Sequence, residues 1–502
     1  MSTEQGKFHI WTVGCQMNQA DSQRVATILN GLGWEEVPAM EQANLVILNT
    51  CSVRAAPEQR AHGQLSLLGH AKKKRQDLLV GMMGCMIGNQ KTIDALKQRY
   101  PMVDLFFKVE HADVLPEFLK ERWTPPATGD GCVDFGEEDA SLAEEFSDYA
   151  SYASPPIGTT LALGGRVSIS SGRTVLPMAV PMRPGERTLH YPTQVALKKS
   201  PTAWLPVILG CNKVCSYCIV PYRRGRERSR PLAELMAEAQ QLVGAGAREL
   251  TLLGQTVEAY GLDLEEQQAD LGDLMRELST IDGLERLRFM TSYPKHMTDK
   301  IIRQMAELPK VCEHVNIPVQ SGDDGMLQRM RRGYTLEEYR ALIQRLRAWW
   351  PGVSLSTDVI VGFCGETEEE FQHSLDVLEE MRFDVVHVAA YSPRPGTLAH
   401  KWEDDVPLAE KKRRLHAVEE VQERIAREIN QAYVGRVEEI LLEEEHEQHG
   451  VSHWKGRTRT NKLVFVSDEE ATGHTQLTAG MLVSVCIERA TAWSLQGCTV
   501  TI

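Results

Sequence analysis

Long apolar runs are absent from this chain. None of its 502 residues lies in a stretch approaching the ~18 consecutive apolar side chains that a membrane-crossing helix needs, so no membrane span is expected. Met1 to Cys15 carries neither a basic segment nor an apolar core ahead of a small-residue cleavage site. No secretory signal is expected, and the cytoplasm is the expected compartment. An excess of positive charge is also missing. Lys and Arg number 55 against 69 Asp and Glu, a net charge of −14, which disfavours nonspecific polyanion binding by the whole surface and leaves room only for a local basic face. What remains is globular composition, 42% hydrophobic and 25% charged, which excludes a mainly disordered, collagen-like or disulfide-scaffold chain. At roughly 150 residues per domain the length predicts about three domains.

Cysteines number 11. In a long chain of a reducing compartment, metal ligation or catalysis is a better use for them than disulfides. From Phe8 to about Trp123, apolar runs at Phe8–Val13, Leu45–Leu48 and Leu78–Met83 alternate with helical segments such as Ser22–Leu32 and Pro57–Arg75. This is the pattern of an open, parallel α/β sheet, here assigned to residues 5–123. Each run ends in a cysteine: Gly14-Cys15, Asn49-Thr50-Cys51 and Gly84-Cys85. Ligands gather at the carboxyl ends of such strands, so Cys15, Cys51 and Cys85 are expected to converge, the plain alternative being three buried small residues.

Residues 124–195 read as an acidic, Pro/Gly-rich linker or insertion. Thr124 to Ser154 holds eight acidic residues and no Lys or Arg, and a small hairpin is conceivable at Thr159–Val167. Over 196–430 the βα alternation resumes with strands at Trp204–Leu209, Glu249–Leu253, Leu287–Met290, His314–Val319, Leu355–Val361 and Val385–Ala390. Six βα units predict a parallel (β/α)6 partial barrel. Over 431–502 short strands at Val437–Leu442, Lys462–Val466, Leu482–Ile487 and Cys498–Ile502 predict a small OB-like β-barrel.

The first barrel strand runs into Cys211-Asn-Lys-Val-Cys215-Ser-Tyr-Cys218. Chance expects about 0.005 such Cys-x3-Cys-x2-Cys strings in a chain with this much cysteine. Three soft thiolates on one loop suit three irons of a [4Fe-4S] cubane and leave the fourth iron open to an outside donor. A structural zinc site is the alternative; it wants four protein ligands, and no fourth Cys or His follows nearby. The segment Lys198 to Arg230 carries a net +7 in an acidic protein, with Arg223, Arg224, Arg226 and Arg228 behind the cysteines. Such a cluster can position phosphates, or it can form a solvated face with internal ion pairs. Lys455, Arg457 and Arg459, with Trp454 and Lys462, make a second, smaller basic patch suited to RNA. His446-Glu-Gln-His449 lacks the spacing of a zinc-protease helix, and Cys132, Cys312, Cys364, Cys486 and Cys498 read as structural.

The cysteine loop after the first strand of a six-unit βα array is similar to the radical S-adenosylmethionine (SAM) superfamily. The fuller string Gly210-Cys211 through Cys218-Ile-Val-Pro221-Tyr222-Arg-Arg-Gly225-Arg226-Glu227-Arg228-Ser229-Arg230 resembles the methylthiotransferase family within it. Further matches are Gly14-Cys15-Gln16-Met17-Asn18, Asn49 to Arg54, Pro318 to Gly322, Met330-Arg331-Arg332-Gly333-Tyr334 and Tyr391 to Thr397. Cys364 and Thr256 depart from the family's usual Pro and Asn. The resemblance covers nearly the whole chain apart from the linker.

The resemblance implies a radical SAM core at 196–430 whose [4Fe-4S] cluster sits on Cys211, Cys215 and Cys218. It also implies an auxiliary [4Fe-4S] cluster on Cys15, Cys51 and Cys85, and a TRAM-type RNA-binding domain at 431–502. SAM would be contacted near Gln255 and Asp358. The tRNA branch of the family, the nearest to this sequence, converts N6-dimethylallyladenosine beside the anticodon to its 2-methylthio form. Relatives acting on N6-threonylcarbamoyladenosine or on a ribosomal-protein aspartate are the alternatives, and a noncatalytic iron-sulfur RNA-binding protein is the alternative of another class. The implied partners are a tRNA anticodon stem-loop, a reducing electron donor and a sulfur donor, with the enzyme a monomer. Carbon 2 of adenine offers neither an acidic hydrogen nor a leaving group, so a radical cofactor would have to carry the hard step.

Overall fold

The computed structural model describes residues 5–53, 55–88, 90–123, 178–179, 200–264, 269–448, 451–467 and 477–500. The chain divides into two compact units, Met1–Pro192 and Thr193–Ile502.

The first unit is built on a parallel sheet of β1 (Lys7–Thr12), β2 (Glu35–Glu36), β3 (Leu45–Thr50), β4 (Leu79–Gly84), β5 (Leu105–Phe106) and β6 (Met178–Ala179), in the order β2-β1-β3-β4-β5-β6. All six residues of β3 are buried, as an apolar strand in the middle of a parallel sheet must be. Registers Thr12↔Asn49 and Thr50↔Gly84 bring the carboxyl ends of β1, β3 and β4 level with one another. β6 falls inside the stretch read as linker. The rest of that stretch, including the Thr159–Val167 hairpin and Cys132, lies outside the described residues.

In the second unit β7 (Thr202–Pro206), β10 (Glu249–Leu253) and β11 (Arg286–Phe289) form one parallel sheet, and β12 (His314–Asn316), β13 (Ser354–Val361) and β14 (Val385–Ala390) another. A parallel bridge from Leu287 to Val311 joins them, so six strands run side by side in chain order. The helices Leu232–Gly244, Leu271–Ser279, Asp299–Glu307, Leu336–Trp349, Glu368–Met381 and Leu408–Gln431 follow the successive strands. Several starts are written in the sequence as capping boxes. Thr335 with Glu338 and Thr367 with Glu370 each exchange backbone and side-chain hydrogen bonds, satisfying amides that a helix start leaves unpaired. A short antiparallel pair, β8 (Ile208–Leu209) and β9 (Arg228–Ser229), interrupts the first βα unit and closes off the cysteine loop.

β15 (Val437–Gln448), β16 (Val451–Thr458), β17 (Leu463–Ser467), β18 (Leu482–Ala490) and β19 (Leu495–Thr499) close a barrel in the order β15-β16-β17-β19-β18. Alternate residues Ile440 and Leu442, Val464 and Val466, and Val485 and Ile487 fill its core. This barrel caps the amino-terminal ends of the βα strands. The side chain of Arg286, the first residue of β11, is fully buried and donates to the carbonyls of Arg457 and Glu439 and to the Glu439 carboxylate, each at 2.8 Å. Arg288 donates to the carbonyls of Thr458 and Arg459 at 2.7 Å while its Nε pairs with Glu249 at 2.9 Å. Replacing Arg286 with Ala should therefore cost about 2 to 3 kcal/mol in urea unfolding, because the deletion strands carbonyls that a buried cation now satisfies. Arg340→Ala, which breaks a pair with Glu380 that is well over a third exposed on both sides, should cost less than about 1 kcal/mol. Equal costs would show that Arg286 does not hold the two barrels together.

Candidate metal centres

In the first unit two of the three cysteines, Cys15 and Cys85, lie against one side chain, that of Asn18. Cys15 is the N-cap of the helix Gln16–Gly31, and Asn18 is fully buried one turn along. Asn18 Oδ1 lies 3.8 Å from Cys15 Sγ and 4.0 Å from Cys85 Sγ, while its Nδ2 donates to the carbonyls of Val13 and Thr50 at 2.9 and 3.0 Å. Cys51 follows Thr50 directly and is buried, as is Cys85, whose amide donates to the Thr50 carbonyl at 2.7 Å. Two glycines permit the approach. Gly14 (φ 127°) and Gly84 (φ 94°) have left-handed backbones, and a Cβ on them would stand 2.8 Å from Cys51 Cβ and 2.4 Å from the Thr50 carbonyl oxygen respectively. These approaches place Cys15, Cys51 and Cys85 at the carboxyl ends of the neighbouring strands β1, β3 and β4. Asn18, which bridges Cys15 and Cys85, is visible in the sequence only as part of a motif.

In the second unit the loop between β8 and β9 carries Cys211, Cys215 and Cys218. Gly210 (φ 74°) crosses under Arg226, whose carbonyl would be 2.1 Å from an added Cβ, and the Cys211 amide donates to the Gly225 carbonyl at 3.1 Å. Neighbouring elements pin the middle of the loop. The Ser216 amide donates to the Met330 carbonyl at 3.1 Å, its hydroxyl to the Arg329 carbonyl at 2.8 Å, and the Ala399 amide donates to the Ser216 carbonyl at 2.8 Å. The Lys213 amide points at Cys211 Sγ (3.4 Å) and Arg332 Nη1 at Cys215 Sγ (3.3 Å). Burial first, and the Cys215 thiol next, push Cys218 up to about 12; burial also raises Cys211. Such thiols need a metal cation to displace their protons, so binding there would release acid. Among the described residues no three His, Cys, Asp or Glu side chains lie close enough together to share a single metal ion. A cubane, which places each thiolate on a different iron, asks for a wider set, and this donor chemistry suits it better than zinc.

Beside the loop, Thr256 donates to Glu227 Oε1 at 2.7 Å, and Lys213 Nζ lies 2.7 Å from His296 Nε2, 3.8 Å from Glu227 and 4.9 Å from the centre of the Tyr293 ring. Thr256, the departure from the family's Asn, thereby fastens the end of β10 to the cysteine loop. Gln255 is half-buried immediately after β10. Asp358 sits mid-strand on β13, half-buried, and accepts from Asn316 Nδ2 at 3.3 Å. Sequence reasoning missed Glu258 in the same region. Burial pushes its carboxyl up to about 8, against the pull of its own backbone amide, the Tyr293 amide and Lys213. The folded protein therefore holds more protons than the unfolded chain between the ordinary carboxyl range and about pH 8. Its contribution to stability is present below pH 4.5 and should drain away as pH rises to 8. In Glu258→Gln this part of the pH dependence of urea unfolding should vanish; an unaltered slope would mean the carboxyl is not held neutral.

The basic candidates divide. Tyr222 and Arg226 are exposed, and Arg223, Arg224 and Arg228 are half-buried around them. Arg230 belongs to the core, its fully buried guanidinium 2.6 Å from Glu238. In the small barrel each candidate meets acid: Lys455 pairs with Glu444, Arg457 with Glu443 at 3.4 Å, and Lys462 with Asp384 at 2.6 Å. Arg459 forms a fork on Glu313 and donates to the Val311 carbonyl at 2.7 Å. The expected basic patch suited to RNA is interrupted at Arg459, which is part of the seam between the two barrels. The cause is acidic residues distant in sequence that the barrel's docking brings to it.

Two family models match the chain, the radical SAM superfamily over residues 205–378 and the uncharacterized protein family UPF0004 over residues 7–108. Among solved structures, the radical SAM methyltransferase TsrM from Kitasatospora setae is similar with a TM-score of 0.48 and 16% identity, over 78% of this chain and 74% of that one. Curated relatives are much nearer. A tRNA-2-methylthio-N(6)-dimethylallyladenosine synthase from Roseiflexus sp. is 40% identical over 98% of this chain and 89% of its own length. Proteins of the same name from Dictyoglomus thermophilum and Chloroflexus aurantiacus are 39% and 38% identical, again over 98% of this chain and over 98% and 91% of theirs. With cysteine triads in both units and this similarity running end to end, the chain belongs to the tRNA-2-methylthio-N(6)-dimethylallyladenosine synthase family of the radical SAM superfamily.

Proposed function

We propose that this protein inserts a methylthio group at carbon 2 of N6-dimethylallyladenosine in tRNA, with Cys211, Cys215 and Cys218 holding one [4Fe-4S] cluster and Cys15, Cys51 and Cys85 a second. The observation that carries the reading is the pair of soft three-thiol groups, one at the strand ends of the first unit and one after the first strand of the βα barrel, in a chain 40% identical to a synthase of that name. Clusters held there would supply one-electron chemistry toward SAM and the sulfur of the product, whose methyl group would come from a second SAM. The chain's own residues do the positioning. Gly210 and Ser216 fix the loop that presents the thiols, Asn18 lies against Cys15 and Cys85 of the other triad, and Gln255 and Asp358 are assigned to SAM.

Arg223, Arg224, Arg226 and Arg228 are assigned to the phosphates of an anticodon stem-loop, with Lys455 and Arg457 as further RNA candidates, Arg459 being engaged by Glu313. We divide the chain at 5–123, 124–195, 196–430 and 431–502, as its motifs suggest. Nucleoside profiling of tRNA from a deletion strain tests the function: the 2-methylthio form should disappear and N6-dimethylallyladenosine accumulate. Loss of a 2-methylthio-N6-threonylcarbamoyl nucleoside instead would assign the alternative substrate.

A further inference from the structure

Arg332 is a buried cation with no carboxylate partner among the described residues. Its residue is 6% exposed, and its guanidinium donates from Nε to the Tyr334 hydroxyl (3.0 Å), from Nη2 to the Pro318 carbonyl (3.3 Å), and from Nη1 to Cys215 Sγ (3.3 Å) and the Tyr217 hydroxyl (3.4 Å). The rings of Tyr293 and Tyr334 flank it at 5.1 and 5.4 Å. Three comparably buried arginines in this unit hold a glutamate: Arg230 has Glu238, Arg288 has Glu249 and Arg414 has Glu366. A charge withdrawn from water needs a counter-charge, and the thiol that Arg332 meets is that of Cys215, its sulfur 3.3 Å from Nη1. The backbone is shaped to put it there. Arg331 (φ 55°) and Gly333 (φ 71°) adopt left-handed conformations on either side, so Arg331 faces solvent while Arg332 turns inward. The loop itself does not hang on this side chain, because Ser216 is tied to the backbone carbonyls of Arg329 and Met330.

We infer that Arg332 is a positioning residue that serves as counter-ion to the Cys215 thiolate and raises the reduction potential of the cluster on the barrel loop. The inference rests on the assignment of that cluster to Cys211, Cys215 and Cys218. Adding an electron makes a thiolate-ligated cluster more negative. A fixed positive charge hydrogen-bonded to one ligand sulfur, in a site with little water, stabilises the reduced form more than the oxidised one.

The test uses the full chain with Cys15, Cys51 and Cys85 replaced by Ala, reconstituted anaerobically so that only the loop cluster is loaded. It is titrated with dithionite while the reduced cluster is followed by EPR. Arg332→Met and Arg332→Gln should retain about four irons and show a ratio of reduced to oxidised cluster at least tenfold lower at the parent's midpoint. A tenfold change corresponds to a downward shift of about 59 mV for one electron. Arg332→Lys, which keeps the charge, should recover most of the shift. An unchanged potential in either loaded neutral variant overturns the inference. So does loss of iron in both, which would make Arg332 a prop for the loop. A parent that binds no iron at all is a different failure, since it overturns the cluster assignment and the inference with it.

Discussion

Replacing Cys15, Cys51 and Cys85 together with Ala should leave SAM cleavage running and abolish sulfur insertion. The wild-type protein should bind about eight irons after anaerobic reconstitution and the triple variant about four, one cubane for each thiol triad. The two triads are built on separate scaffolds. One stands on Asn18 and the ends of β1, β3 and β4; the other is closed by β8 and β9 and pinned by the carbonyls of Arg329 and Met330. The second scaffold is built from its own unit's backbone contacts, so 5′-deoxyadenosine should still form under dithionite. The reciprocal variant at Cys211, Cys215 and Cys218 should form none. Both products are measured in the same reaction by liquid chromatography. A triple variant at Cys15, Cys51 and Cys85 that still methylthiolates tRNA would remove the sulfur-delivering role from that site.

Much of this arrangement was legible in the residues because its signals are local. The spans Glu249–Leu253 and Val385–Ala390 are strands from first residue to last, as their apolar runs predict, and the capped helix starts at Thr335 and Thr367 are written in Thr-x-x-Glu. The first helix was harder. It begins at Gln16, six residues before the expected start, since Cys15 gives it no side-chain cap and the opening Gln-Met-Asn-Gln lacks apolar period. β16 was missed because Val-Ser-His-Trp-Lys-Gly-Arg-Thr has no alternation; pairing to β15 and β17 on both sides makes it a strand. The final strand ends at Thr499, several residues earlier in the chain than the apolar tail suggested. Least legible were contacts across long separations. Arg332 lies 117 residues from Cys215, and Arg459 146 residues from Glu313, so no window of sequence could assign either partner.

Neutralising Arg224 and Arg226 together with Gln should lower tRNA affinity about tenfold and reduce the slope of log affinity against log salt by about 1.4 to 1.8. Each lost phosphate contact removes close to 0.7 unit on a single strand and 0.9 on a duplex. Modified and unmodified tRNA should weaken alike, because phosphate contacts position an RNA without reading its bases. The location favours this role over a structural one for Arg226, which is exposed directly behind the cysteine loop next to the exposed ring of Tyr222. Arg230, five residues before Leu235 in the same segment, shows what the structural role looks like: fully buried and matched to Glu238. If Arg224 and Arg226 instead serve the fold, their replacement would lower iron content and the unfolding midpoint while the salt slope stayed at its wild-type value. Binding isotherms across a salt series, with iron measured on the same preparations, separate the two outcomes. An unchanged slope accompanied by lost iron would assign both arginines to the scaffold and leave the phosphate-binding face to be sought elsewhere on the chain.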